Sequence, residues 1–272
     1  MEDAGRQRLR FDSGVYDQAH AEVGMISERL PRAAVADLAQ EVVARLAARA
    51  RARPDIQVRL SDDDIDALSH ALIADDKDAG ARMIATALDQ GVPVETLYLG
   101  HLAPAAQRLG EWWEKDDVSY SVVMLAAARI YAIMLGLRRS MTTPYGAGKR
   151  AAVFASVPGD THTLGVIMAS DLLRNKGWDI DLKVGRTHEA LVEELVHSDR
   201  MVIGLSAGSK RSFLPLIRLI VALRVSKPGV RIMVSGQIAA MDLDLVGAAG
   251  ADASAAGFDD ALSEMERLAA LT

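Results

Sequence analysis

Cysteine is absent from the 272 residues. Disulfides, zinc thiolates and iron–sulfur clusters are thereby excluded. Positive charge is not in excess either: the net charge is -6. A surface that grips phosphates needs clustered Lys and Arg, so strong direct nucleic-acid binding is not expected. The start of the chain has no continuous apolar core of the kind a secretion signal carries. No apolar stretch is expected to reach membrane-spanning length. A cytoplasmic protein without membrane contact is the expectation. Aromatic residues make up 4% of the chain, yet two of its three tryptophans, Trp112 and Trp113, are adjacent.

What remains is an ordinary globular composition, half apolar and a quarter charged. The length suggests two domains, each with its own core. Residues 1–28 read as an N-terminal extension, with few large apolar side chains among interleaved charges. Residues 29–145 read as a helical bundle. Ala33 to Arg51 carries an apolar stripe at Val35, Leu38, Val42, Val43 and Leu46. Ser61 and the acids Asp62 to Asp64 form a capping segment before Ile65, Leu68 and Leu72. Further helices are expected over Asp75 to Gln90, Pro93 to Glu114 and Ser119 to Met141. His70 and His101 read as surface or packing residues.

Residues 142–149 have linker composition. Beyond them, over 149–272, apolar runs and amphipathic stretches alternate. Strands are expected at 150–157, 179–184, 200–206, 230–235 and 251–255. Helices are expected at 166–176, 187–197, 210–226, 237–248 and 259–271. Alternation of this kind implies a parallel sheet with helical crossovers. The fold class is thus α plus α/β: a helical bundle followed by a flavodoxin-like, five-stranded domain.

The stretch that organises the chain is Asp160-Thr161-His162-Thr163-Leu164-Gly165. It follows the first apolar run and precedes a helix, so it occupies the carboxyl end of a strand, where open sheets place ligands. Neutral imidazole is a good transition-metal ligand. A carboxylate two residues away can accept the other ring N–H, fixing the tautomer and raising basicity. Gly165 has no side chain, so something bulky can approach the backbone.

This stretch resembles the Asp-x-His-x-x-Gly signature of cobalamin-binding domains. The resemblance implies that His162 ligates cobalt from below in place of the displaced dimethylbenzimidazole. Ser206-Ala207-Gly208 stands where the family has Ser-x-Leu, and Ser206 is implied to meet the displaced base. Gly208 replaces the leucine. Ser235-Gly236 stands where Gly-Gly is usual, leaving less room for the nucleotide tail. Leu109-Gly110-Glu111-Trp112-Trp113 is similar to the Leu-Gly-x-x-Trp segment of the helical cap that precedes many such domains, with Trp113 at the family tryptophan. Read from the residues alone, the pair is one core and one interface tryptophan, since neighbours on a helix point about 100° apart. Read from the resemblance, it is a lid over the corrin, with Val123 and Met124 opposite. Those two stand where related photoreceptors have a Glu-His pair, which argues against the same upper-ligand switch.

The sequence further resembles the AerR/PpaA family of cobalamin-binding photosynthesis antirepressors. That implies a non-enzymatic, light-responsive regulator that takes hydroxo- or adenosylcobalamin. Its implied partner is a transcription repressor of the CrtJ/PpsR type. A corrinoid shuttle of a methyltransferase system, and a cofactor-free interaction module, are the other readings.

Overall fold

The computed structural model describes residues 60–141, 150–160, 162–208, 210–240, 247 and 249–271. The chain divides into two compact units, Met1–Thr142 and Thr143–Thr272. The expected extension at 1–28 and the helix at Ala33 to Arg51 lie outside the described residues.

In the first unit, α1 spans Asp62–Ile73. Its start is a capping box: the Asp64 N–H donates to Ser61 Oγ at 3.2 Å, and the Ser61 N–H donates to the Asp64 carboxylate at 3.3 Å. α2 spans Ala79–Asp89. It begins four residues later than expected, because Asp76 turns the chain by accepting the Asp78 N–H at 3.1 Å. Val94–Thr96 and a π-helical stretch, Leu97–Leu102, lead into α3, Ala103–Glu114. α4 spans Tyr120–Leu137 and ends in a 3₁₀ turn, Arg138–Ser140. Leu68, Leu72, Ile84, Leu109, Ile130 and Ile133 are all buried and form the core of the bundle. Arg108 of α3 ion-pairs with Asp62 and Asp66 of α1.

α4 corrects one expectation. Its 18 residues are long and apolar enough to cross a membrane by length and composition. Within the bundle this apolarity has a local cause. Ala126, Ile130, Ile133, Met134 and Leu137 are buried. The buried Arg129 donates to the carbonyls of Leu72 and Ala74, at 2.9 and 2.8 Å, closing the end of α1.

In the second unit the elements are β1 Ala151–Ser156, α5 Leu164–Asn175, β2 Asp179–Lys183, α6 His188–His197, β3 Val202–Ala207, α7 Phe213–Ser226, β4 Arg231–Gly236, β5 Ala253–Ala255 and α8 Phe258–Ala269. All strand pairs are parallel, in the order β2-β1-β3-β4-β5. The five strands fall where the apolar runs put them. Where a helix was expected over 237–248, a 3₁₀ turn covers Gln237–Ala240. Residues 241–246 and 248 lie outside the described residues. α7 follows a 3₁₀ turn at Lys210–Ser212.

Alternation along the strands sorts the side chains onto two faces. Val153, Ala155, Ile203, Leu205, Ile232 and Val234 pack with Leu191, Leu195, Leu216, Leu219, Ile220 and Leu223 of α6 and α7. The opposite face carries Phe154, whose ring lies over Gly204. A Cβ at Gly204 would stand only 2.5 Å from that ring, so the glycine is demanded by packing.

Asp252 clamps the β4–β5 edge. Its Oδ2 accepts the Ile232 N–H at 2.7 Å and an Arg224 N–H at 2.5 Å. Burial pushes its carboxyl up, but the Ile232 N–H and the Arg224 and Arg231 guanidiniums outweigh that and hold it below the usual value. A lowered folded pKa means stability that is complete above the unfolded pKa and is lost as pH falls through the folded one. Asp252→Asn is therefore expected to lower stability by about 1–3 kcal/mol at pH 7. The gap to the parent should close as pH falls below 3.8, the ordinary carboxyl value. Urea denaturation of both proteins at pH 7 and in acid measures this. A constant gap across that range would contradict it.

Candidate functional site

The strand order has one point where neighbours run off in opposite directions, between β1 and β3. Ligands of doubly wound sheets bind in the crevice that opens there, at the carboxyl ends. The loop after β1 and the loop after β3 meet at this point.

After β1 the chain makes a tight turn, with Asp160 N–H donating to Val157 C=O at 2.9 Å and Gly159 at φ +79°. The turn carries Asp160 inward, leaving its side chain 1% exposed. One carboxylate oxygen, Oδ1, accepts the backbone N–H of His162 at 2.9 Å and faces its ring Nδ1 at 2.6 Å. The other, Oδ2, accepts the Gly208 N–H and the Ser212 hydroxyl, the latter at 2.9 Å. Burial pushes the Asp160 carboxyl up. The His162 ring and the N–H groups of Gly208 and His162 outweigh that and hold it below the usual carboxylate range. The carboxylate is therefore an acceptor on both oxygens at neutral pH. Nδ1 must then carry a proton, so the nitrogen of this ring that a metal would take is Nε2, itself a buried atom.

Among the described residues no three His, Asp or Glu side chains converge to hold a metal ion by themselves. One oriented imidazole suits a metal that brings its own macrocycle and needs a single axial nitrogen from the protein. Gly165 fits the same picture. It lies in the first turn of α5 rather than in the loop, because the helix starts at Leu164. A Cβ there would meet nothing within 4 Å, so space is open beside the backbone.

Ser206, one residue before the end of β3, lies in register with Ser156 of β1 on one side and Ser235 of β4 on the other. Residues in register share a face, so three hydroxyls stand side by side at the carboxyl edge, on the face away from α6 and α7. Ser156 accepts the Gly185 N–H at 3.4 Å. Gly236 has a different task. Its φ is +87°, and a Cβ would lie 2.5 Å from the Ala207 carbonyl, so the backbone itself requires glycine.

The remaining candidates belong to the first unit. Trp112 packs against His70 with the rings tilted 55° to each other and their centroids 4.5 Å apart. Trp113 meets the edge of Tyr120 at 6.2 Å. Both are half-buried, as is Met124, while Val123 is buried. The structure thus brings together Asp160, His162 and Gly208, aligns Ser206 with Ser235, and leaves the tryptophan group within the helical unit. Sequence reasoning missed Ser212 and Ser156. Ser212 lies 52 residues from Asp160 and carries no local signal. Ser156 could have been found by aligning the apolar runs, since a serine stands near the end of the first as Ser206 does in the third.

Residues 150–266 match a family described as B12 binding domain, and residues 64–137 match a second B12 binding domain family. The chain is similar to a Rhodobacter capsulatus protein described as an uncharacterized 20.5 kDa protein in the bchF-crtJ intergenic region. The identity is 31% over 88 residues, which are 32% of this chain. The match spans 46% of that relative's length. Among solved structures, the Methanosarcina barkeri monomethylamine corrinoid protein superposes with a TM-score of 0.64 at 21% identity, over 75% of this chain and 98% of that one. That likeness is one of fold. With residues 64–137 and 150–266 each matching a B12 binding domain, a helical and an α/β one in tandem, the chain belongs to the B12-binding family.

Proposed function

We propose that the chain holds cobalamin with its base displaced, through His162, and that the state of the cofactor sets its grip on a DNA-binding repressor. The observation that carries the first half is the Asp160 carboxylate, which four donors fix and which in turn orients the His162 ring. His162 offers the lower nitrogen. Asp160 keeps its tautomer and raises its basicity. Ser206, Ser235 and Gly236 border the room for the nucleotide tail. Bound cobalamin supplies a cobalt whose upper ligand can exchange and, when alkyl, can be released by light.

A regulator needs two states that differ in affinity for its partner. Cobalamin held by His162 would supply such a pair, by carrying either a large ligand or water. The net charge of -6 suits docking to a basic protein rather than to DNA. The relative encoded between bchF and crtJ supports a role beside a CrtJ/PpsR-type repressor. The protein in this reading is a cytoplasmic antirepressor, not an enzyme, with no strong direct binding to nucleic acid and no membrane contact.

One preparation tests it. The purified chain is loaded with adenosylcobalamin or hydroxocobalamin, and repressor capture is measured in dark and in light. Capture should differ by about tenfold between the two states, a coupling of about 1.4 kcal/mol. The reduced protein is also offered a methyl donor and a methyltransferase. Methyl turnover together with no ligand-dependent partner would replace the regulator with a corrinoid shuttle.

A further inference from the structure

Gly208 is buried at the end of β3, facing the loop that carries His162. Its φ lies outside the left-handed range, unlike those of Gly159 and Gly236. No left-handed φ therefore calls for glycine there. Space is the constraint that remains, and the three atoms nearest to a Cβ there all belong to His162. A Cβ built on Gly208 would overlap Cβ and Cγ of His162 and stand 2.7 Å from its Nδ1. Contacts under 3.0 Å essentially never occur at real Cβ atoms, and the atoms met are the root of the side chain, not a flexible tip that could swing away. The same residue donates its N–H to Asp160, the partner of that ring.

We propose that Gly208 is the positioning residue for His162: its bare Cα forms the seat of the imidazole, and its N–H fixes the carboxylate that orients the ring. Two contacts from one residue thus set both the place and the tautomer of the ligand nitrogen. A leucine at this position, as in the pattern the β3 loop resembles, could not coexist with the ring where it lies here. The departure from that pattern therefore makes room for the histidine ring. This rests on His162 as the lower ligand, but the seat itself is testable without cofactor.

The variants are Gly208→Ala in the full chain, alone and combined with His162→Gly, which removes the clashing Cβ as well as the ring. In the protein without cofactor, the ¹⁵N and proton signals of labelled histidine report the Nδ1–H bound to Asp160. Gly208→Ala should lose that hydrogen-bonded proton. Loaded with hydroxocobalamin and reduced to Co(II), the parent should show axial-nitrogen splitting in its electron paramagnetic resonance spectrum. Gly208→Ala should lose the splitting and hold cobalamin about tenfold more weakly, the scale of losing an orienting partner. In the His162→Gly background, Gly208→Ala should change neither cobalamin retention nor thermal stability. An unchanged Nδ1–H signal in Gly208→Ala overturns the proposal. So does a double variant that unfolds, because the glycine would then be required by packing other than the ring. If the Nδ1–H signal is lost but the parent takes up no cobalamin, the seat stands and the lower-ligand reading falls.

Discussion

His162→Ala is expected to lose the axial nitrogen and at least about tenfold in cobalamin retention, a minimum set by what losing even an orienting partner costs a metal site. The fold should survive, since the carboxylate that organises the loop keeps its other donors, the His162 backbone N–H, the Gly208 N–H and the Ser212 hydroxyl. The absorption spectrum of bound hydroxocobalamin should change from that of a nitrogen-ligated cobalt to that of a base-off form. Added imidazole, free to occupy the vacated volume, should restore part of the parent spectrum. Identical affinity and spectrum in variant and parent would remove His162 from the lower position.

Asp160→Ala should damage both fold and binding. The carboxylate is buried and receives four donors from three separate points of the chain: His162, Gly208 and Ser212. Removing it leaves buried N–H and O–H groups without their acceptor, each worth about 1–3 kcal/mol when orphaned. Part of that is recovered by relaxation and water, so a net loss of about 3–5 kcal/mol is expected, the scale for breaking a buried charged network. Cobalamin retention should fall about 10- to 100-fold, because the ring loses its orientation and its enforced tautomer. Asp160→Asn keeps the shape and one acceptor oxygen. It should lie between alanine and parent in both denaturant unfolding and retention. A stability for Asp160→Ala within 1 kcal/mol of the parent would show that the network carries far less than the geometry implies.

The sheet domain was legible because strand and helix announce themselves locally. The run Ala151 to Ala155 is apolar throughout, as a doubly covered central strand must be, and the period changes after Leu164. Asp160 and His162 were legible because the contact between them is two residues long. Ser212 was not, because its hydroxyl reaches Asp160 only after β3 and β1 pair. The role of Gly208 was hidden for the same reason: a glycine after a strand reads as a turn, and only the folded chain shows a ring where its side chain would be. The π-helical stretch Leu97–Leu102 was invisible, since one added residue per turn barely disturbs a 3.6-residue pattern. The late start of α2 was missed because Asp76 and Asp78 read equally well as first-turn acids.

The row formed by Ser156, Ser206 and Ser235 has a consequence for how the domain matures. Adjacent strands lie about 4.8 Å apart, so the three hydroxyls make a ruler laid across the sheet rather than along any one strand. No single segment encodes that ruler; it exists only once three distant stretches have docked in one alignment. A slip of one residue between β1 and β3 would send Ser206 to the opposite face and break the row in its middle. Parallel pairings of this kind close late in folding, because long loops must be ordered first. The edge that would meet a ligand is therefore also a gauge of correct assembly, and whatever binds along it would select, from a population of nascent chains, those whose strands have found their proper neighbours.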